Sequence, residues 1–285
     1  MAFINYLVHL GILICIYSIL TVSLNWAVGF TGLLNLGHVG FFGIGAYASA
    51  LFAMNGVPIW LSLILGALFA GVSGLLLALP TTRLKGDYLA LATLGFAFIM
   101  GSVARNWTGL TRGALGIPGI PKIVHGNYAF LLVVFIIAVI TYLIFWKLSR
   151  SRFGKTCEAV RDDELAAKML GKDTFLHKIL ALGISAFFAG LGGGLFAHYI
   201  TFIDPSIFGL GDLILLFSML IVGGLASVKG AAIGTIILLL LPEPLRFIGF
   251  PSSILGPMRE IIFALILLLI LIYKPRGICG KVDLS

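Results

Sequence analysis

Three groups of residues in this chain have the type and spacing to suggest chemistry. Gly154-Lys155-Thr156 ends like a phosphate-binding loop, in which glycine-rich backbone cradles phosphates and a lysine reaches the outer one. The motif G-x-x-x-x-G-K-[ST] needs its first glycine where the chain has Ser149, and no parallel strand precedes it, so no nucleotide is expected there. A proton relay needs ionisable groups deep in a membrane. The carboxylates Asp87, Asp204, Asp212, Glu243 and Glu260 all fall near the ends of apolar segments, which leaves His9, His38 and His198, the last beside Tyr199. An interfacial or hydrogen-bonded imidazole is the favoured reading of each. No His, Cys or acidic pair has metal-ligand spacing, and no nucleophile stands with a base, so neither a metal site nor a catalytic residue is expected. Cys15, Cys157 and Cys279 form neither a redox pair nor a disulfide framework.

The elements that carry these residues are set by composition. Of 285 residues 60% are hydrophobic and only 11% charged, which describes a protein whose solvent is largely lipid. The expected fold is all-α: one polytopic membrane domain over 1–285, with apolar segments near 5–24, 38–55, 58–79, 87–105, 128–146, 178–202, 211–228, 230–248 and 257–273. That gives eight to ten transmembrane helices, with nine favoured. The first segment lacks a basic leader region and a cleavage site and is expected to be a spanning helix. The net charge of +8 is spread between apolar segments rather than gathered on a basic face, so it reads as topology and no nucleic-acid partner is expected. Arg83 and Lys85, the 147–178 loop, and Lys274, Arg276 and Lys281 should face the cytoplasm together with the C-terminus. The 106–127 loop then lies outside despite Arg105, Arg112 and Lys122.

Glycine is frequent, at 36 residues. It recurs at Gly29, Gly32, Gly37, Gly40, Gly43 and Gly45, and again at Gly223, Gly224, Gly230 and Gly234, in two stretches that loosely resemble each other. Paired Gly-interrupted segments point to broken helices around a substrate path. Gly190-x-x-x-Gly194 and Gly230-x-x-x-Gly234 equally fit tight helix packing. The body therefore reads as a conduit driven by a solute gradient or by a partner.

The 147–178 loop is the longest charged interval. Asp162-Asp163-Glu164 is expected to open a short helix that Gly171 closes, with Glu164 and Lys168 paired at i, i+4. Leu165, Ala166, Ala167, Met169 and Leu170 give that helix a small apolar face. The face fits a partner's groove, and equally the chain's own spans or the lipid interface.

The run from Gly154 to Gly171 closely resembles the cytoplasmic coupling segment of permease subunits from branched-chain amino-acid ABC importers. Other matches lie at Asn35 to Tyr47, Gly86 to Leu94, Thr111 to Pro121, Ala189 to Tyr199, Asp204-Pro205, Phe208-Gly209, Gly223-Gly224 and Leu241-Pro242-Glu243. The resemblance covers about residues 21–248, and its order and spacing carry it. Lys172 and Lys229 depart from the pattern, each standing where an apolar or aromatic residue is usual.

The resemblance implies a multi-pass subunit of a bacterial cytoplasmic membrane that pairs with a second, homologous permease. Two cytoplasmic subunits would bind ATP and Mg and hydrolyse the ATP, with no cofactor and no enzyme activity in this chain. An external binding protein would deliver leucine, isoleucine, valine or related amino acids. By position, Glu158, Arg161, Asp163, Glu164, Ala166, Ala167 and Gly171 are expected at the ATPase contact. Asn35, Tyr47 and Thr93, polar residues in Gly-rich or membrane segments, are candidates to line the substrate path, interhelical hydrogen bonding being the plainer role for each. The competing readings are a stand-alone channel or secondary carrier for a small polar solute such as urea, an amide or an amino acid, and a membrane-embedded enzyme.

Overall fold

A computed structural model of the chain describes residues 2–84, 86–124, 126–243, 258, 261–262, 264–265, 268–270, 272–274 and 276–280. Lys85, Glu260 and Lys281, the end of the eighth expected span and the start of the ninth lie outside the described residues.

Helix α1, Ala2–Asn25, runs on through a π-helical turn, Trp26–Phe30, so that Ile4–Phe30 forms one apolar span of 27 residues. After an unwound stretch come α2 (His38–Met54), α3 (Ile59–Thr81) and α4 (Asp87–Asn106), then a short turn α5 (Thr108–Thr111) and strand β1 (Ile117–Pro118). Helix α6 (Asn127–Arg150) leads into the charged arm, which holds α7 (Arg152–Asp162) and α8 (Glu164–Met169). Helix α9 (Thr174–Ile200), strand β2 (Phe202–Ile203), α10 (Leu210–Gly223) and α11 (Val228–Leu240) follow, and the described residues between 258 and 273 are helical.

Helix α9 is the centre of the packing, with α1, α2 and α3 against it. Small residues make this possible. A Cβ on Gly45 would fall inside the Gly190 backbone, and one on Gly193 inside the backbone of Phe42, so α2 and α9 touch main chain to main chain. Gly230 and Gly234 do the same for α11 against α10. In these glycines the packing reading holds.

The two faces of the bundle are fixed by contacts. At one end the His9 and Tyr199 rings stack, with centroids 5.5 Å apart, and β1 pairs antiparallel with β2 through Ile117 and Ile203. At the other end the arm meets the π-helical turn. Ile278 and Cys279 donate backbone hydrogen bonds to Val222 and Gly223, each at 3.0 Å, which seats the described C-terminal residues against the turn after α10. Arg161 and the carbonyl of Gly29 join on this same face, so the first residues of α1 and the arm lie at opposite ends.

Two details differ from the sequence expectations. Five described helices are long and apolar enough to cross a membrane, whereas α2, α10 and α11 have 17, 14 and 13 residues. At 1.5 Å per residue α10 and α11 each cover only about 20 Å of a hydrocarbon layer about 30 Å thick. They form a hairpin around Gly224 to Ser227, with Ser227 Oγ accepting from Gly230 N–H at 3.0 Å. The arm, in turn, holds two helices where one was expected. Ser151 caps α7, and its buried Gly154, Cys157 and Val160 follow a helical spacing that the surrounding charges obscure.

Candidate functional site

Asp163 breaks the arm into its two helices. Its backbone is extended, and its carboxylate accepts from the N–H groups of Leu165 (2.9 Å) and Ala166 (3.0 Å), which caps α8. Gly171, at φ +74°, ends the helix by donating to the Lys168 carbonyl at 2.9 Å, a conformation that favours glycine. The expected Glu164–Lys168 pair forms at 3.0 Å. A second cation was not expected: Lys178 on α9 reaches Glu164 Oε2 at 2.6 Å, and Thr174 donates to Oε1 at 3.2 Å. Burial alone would raise the Glu164 carboxyl, but Lys178 and Lys168 outweigh it and hold the group down at about 2. It is therefore ionised throughout the neutral range.

The arm thus has an inner and an outer side. Glu164 turns toward α9, Ala167 is buried, and Arg161 points into the body. Leu165, Met169 and Leu170 are 63%, 87% and 79% exposed. Asp163 and Ala166 lie at this outer surface, and Glu158 pairs with Lys155 at 2.7 Å. Six residues of helix and the residue that caps them carry three large uncovered apolar side chains, and these are pinned from below by ion pairs. Burial pushes the Cys157 thiol up to about 12, so at neutral pH it is a packing group and not a nucleophile.

Arg161 extends this seat into the membrane body. Its Nη1 donates to the Gly29 carbonyl at 2.7 Å and its stem lies over Gly32, while Asp162 holds Nη2 at 2.7 Å. A π-helical turn leaves carbonyls outside the ordinary ladder, and here a guanidinium takes one of them. Phe153 of α7 stacks on Trp26 in the same turn, with ring centroids 6.1 Å apart. Immediately before the turn, Asn25 clamps the α10–α11 hairpin: Oδ1 accepts from Ala226 N–H at 3.0 Å and Nδ2 donates to the Ser227 carbonyl at 2.9 Å. Gly29 presses on the same loop, where a Cβ would run into Ala226. Arm, π-helical turn and hairpin are therefore in direct contact.

Asn35 and Thr93 come together at the unwound stretch between α1 and α2. Thr93 Oγ1 accepts from Leu36 N–H at 3.0 Å and donates to the Ala90 carbonyl at 3.0 Å. Asn35 Oδ1 accepts from Gly37 N–H at 3.0 Å, while its buried Nδ2 has no partner among the described residues. Tyr47 lies apart from them, further along α2. It borders a cavity of about 410 Å³ between α2 and α4, whose walls include Ile44, Ala97, Met100 and Phe208. The Tyr47 hydroxyl likewise has no partner among the described residues. The arrangement supplies apolar walls with sparse polar groups, as a site for a small amphipathic solute requires.

The histidines are hydrogen-bonded. His198 lies between Ser49 Oγ (2.9 Å) and the Pro121 carbonyl (2.6 Å), so Nδ1 carries the proton and Nε2 accepts. His38 Nε2 lies 3.1 Å from Ser23 Oγ. Asp212 stands in the first turn of α10, as its sequence position indicates, yet it accepts from the Tyr17 hydroxyl at 3.0 Å. Because α10 is short, a helix start here lies beside the middle of α1. The residues missed by sequence reasoning are Asn25 and Lys178. An amide inside the apolar run Ser23-Leu24-Asn25-Trp26-Ala27 was the available signal, since such a group needs a partner in lipid.

Comparison with known proteins gives a consistent result. Residues 6–271 match the family described as branched-chain amino acid transport system / permease component. The chain is 32% identical over 302 residues to the high-affinity branched-chain amino acid transport system permease protein LivM of Escherichia coli (strain K12), covering 95% of this chain and 69% of that protein. It is 28% identical over 311 residues to a probable branched-chain amino acid transport permease protein LivM of Methanocaldococcus jannaschii, covering 92% and 90%. It is also 24% identical over 294 residues to the permease protein LivH of the Escherichia coli (strain K12) high-affinity system, covering 94% and 92%.

Proposed function

The chain belongs to the family of branched-chain amino-acid transport permease components, and from that premise we propose that it is the membrane-spanning subunit of an ATP-driven importer of aliphatic amino acids in a bacterial cytoplasmic membrane. It is a multi-pass membrane protein of a transport system. ATP and Mg are bound by two separate cytoplasmic subunits, and an external binding protein delivers the amino acid. Likeness to both LivM and LivH, two permeases named for one system in one organism, supports pairing with a second, homologous permease. The arm and the C-terminus face the cytoplasm. The stand-alone channel gains no support from a family of transport-system components.

The observation that carries the reading is the outer side of α8, where Leu165, Met169 and Leu170 stand uncovered on a helix anchored through Glu164 to Lys178. We assign that surface, with Glu158, Asp163, Ala166 and Gly171, to the ATPase groove. Arg161, Glu164 and Ala167 form the inner part of the same contact, where they transmit its movement. Closure of the ATPases on ATP shifts α8 and α7 together. Arg161 and the Phe153–Trp26 stack pass the shift to the π-helical turn, and Asn25 passes it to the α10–α11 hairpin. A two-state rearrangement of this kind needs a packed, bistable element, and a π-helical turn beside two short helices provides one.

The substrate path is assigned to Asn35, Thr93 and Tyr47. An aliphatic zwitterion needs donors for its carboxylate and an apolar wall, and the Asn35 Nδ2 and the Tyr47 hydroxyl, neither with a partner among the described residues, and the cavity beside α4 would supply them. Reconstitution with ATP-binding subunits and a binding protein tests the whole reading. Leucine uptake that requires ATP and is lost in L165E/M169E supports it, and uptake that proceeds without ATP at the same rate overturns it.

A further inference from the structure

We propose that a groove between α1, α6 and α11 is a binding site for one anionic diacyl phospholipid of the leaflet on the arm's side. The groove has a volume of about 690 Å³ and is walled by apolar side chains, among them Ile14, Phe135, Val139 and Ile233. It runs along α6 from Phe135 to Trp146, about 16 Å of helix. That length is one leaflet's share of a hydrocarbon core about 30 Å thick, so an extended acyl chain matches it.

The end of the groove fixes the chemistry of the headgroup. Lys229 and Trp146 line both the groove and a smaller recess of about 200 Å³ on the arm's face, which also contains Arg150, Lys155 and Glu158. Arg150 stacks over the Trp146 ring with its guanidinium carbon 4.1 Å from the centroid, which orients the planar fork at the mouth. Lys155 is paired with Glu158 at 2.7 Å. Three cations against one carboxylate leave the mouth positive, and neither Arg150 nor Lys229 has a carboxylate partner among the described residues. A basic mouth on an apolar groove between membrane helices suits a phosphate headgroup with its chains attached. Lys229 is one of two residues that depart from the family pattern, and this site gives it a role. The proposal stands independently of what the protein transports.

The test uses the purified full chain in detergent with phosphatidylglycerol and phosphatidylcholine of identical acyl chains at equal concentration, read by native mass spectrometry. One retained phosphatidylglycerol, preferred at least fivefold over phosphatidylcholine, is expected. The exposed-residue variant R150Q/K229Q should lose that preference at least fivefold, while R83Q, on the same face and outside the groove, should keep it. Ile233→Trp fills the groove with the charges intact and should also release the lipid. Equal retention of the two lipids, or retention unchanged in both groove variants, overturns the proposal. A photo-reactive residue at 233 in membranes should capture lipid; capture of a polypeptide there instead would assign the groove to a protein partner and overturn it equally.

Discussion

Arg161 and Gly29 lie 132 residues apart, yet the guanidinium of the first donates to the carbonyl of the second at 2.7 Å, tying the arm to the one π-helical turn among the described residues. A hydrogen bond from a charged donor contributes about 1.5–3 kcal/mol. Arg161→Ala is expected to leave assembly with the ATP-binding subunits intact but to cut leucine uptake at least tenfold while ATP turnover falls much less. Arg161→Lys should recover part of the uptake. A variant that loses uptake and turnover in proportion would show that Arg161 serves assembly and not transmission. ATP hydrolysed per leucine moved, measured in proteoliposomes, is the readout.

Glu164 and Lys178 make the second tie. The carboxyl is depressed from 4.5 to about 2, so its contribution to holding α8 is fully present above about pH 4.5 and lost only as pH falls toward about 2. The distance between spin labels at 169 and 83 is expected to be unchanged from pH 8 to pH 5. Glu164→Gln leaves Lys178, whose side chain is only 9% exposed, without its anion and should loosen α8 by about 1–3 kcal/mol. The double variant E164Q/K178M should recover most of that loss, since removing both partners of a buried pair costs far less than removing one. Hydrogen exchange across residues 163–171 measures it.

The helix contacts separate two kinds of glycine. Gly45→Val forces α2 off α9 and should destabilise the protein by about 1–3 kcal/mol or prevent its insertion. Gly95→Ala, in α4 with nothing within 4 Å of the added carbon, should be neutral or stabilising by up to about 1 kcal/mol. Thermal unfolding in detergent compares them.

Much of this was legible in the sequence because it is local. The acidic helix start at Asp162-Asp163-Glu164, the Glu164–Lys168 spacing, the closing Gly171 and the apolar face of α8 are all set within ten residues, and the structure has each of them, with Asp163 as the cap. The apolar runs located the helices for the same reason. What local pattern cannot hold is the partner of a long side chain. Glu164 also reaches Lys178, Arg161 reaches Gly29, and Asn25 reaches Ser227, and in each case tertiary packing decides. The apolar segments 211–228 and 230–248 likewise do not encode that α10 and α11 stop short of a full span. That is why Asp212 looked terminal in the chain while it meets Tyr17 in the middle of α1.

Tyr47→Trp narrows the cavity between α2 and α4 while removing the hydroxyl. If the path runs there, leucine uptake should fall at least tenfold with stimulation of ATP turnover by the binding protein retained. Uptake at the original rate in this variant would move the path elsewhere, and a transport assay with matched turnover measurement reads both.

The most direct test of the coupling role is photo-crosslinking from position 169, the most exposed apolar side chain on α8. With a photo-reactive residue there, the assembled importer should yield an adduct with the ATP-binding subunit. The same residue at 107, on the opposite face, should yield none. An importer that remains assembled and ATP-driven yet gives no such adduct from 169 would contradict the role of α8 as the motor's point of attachment.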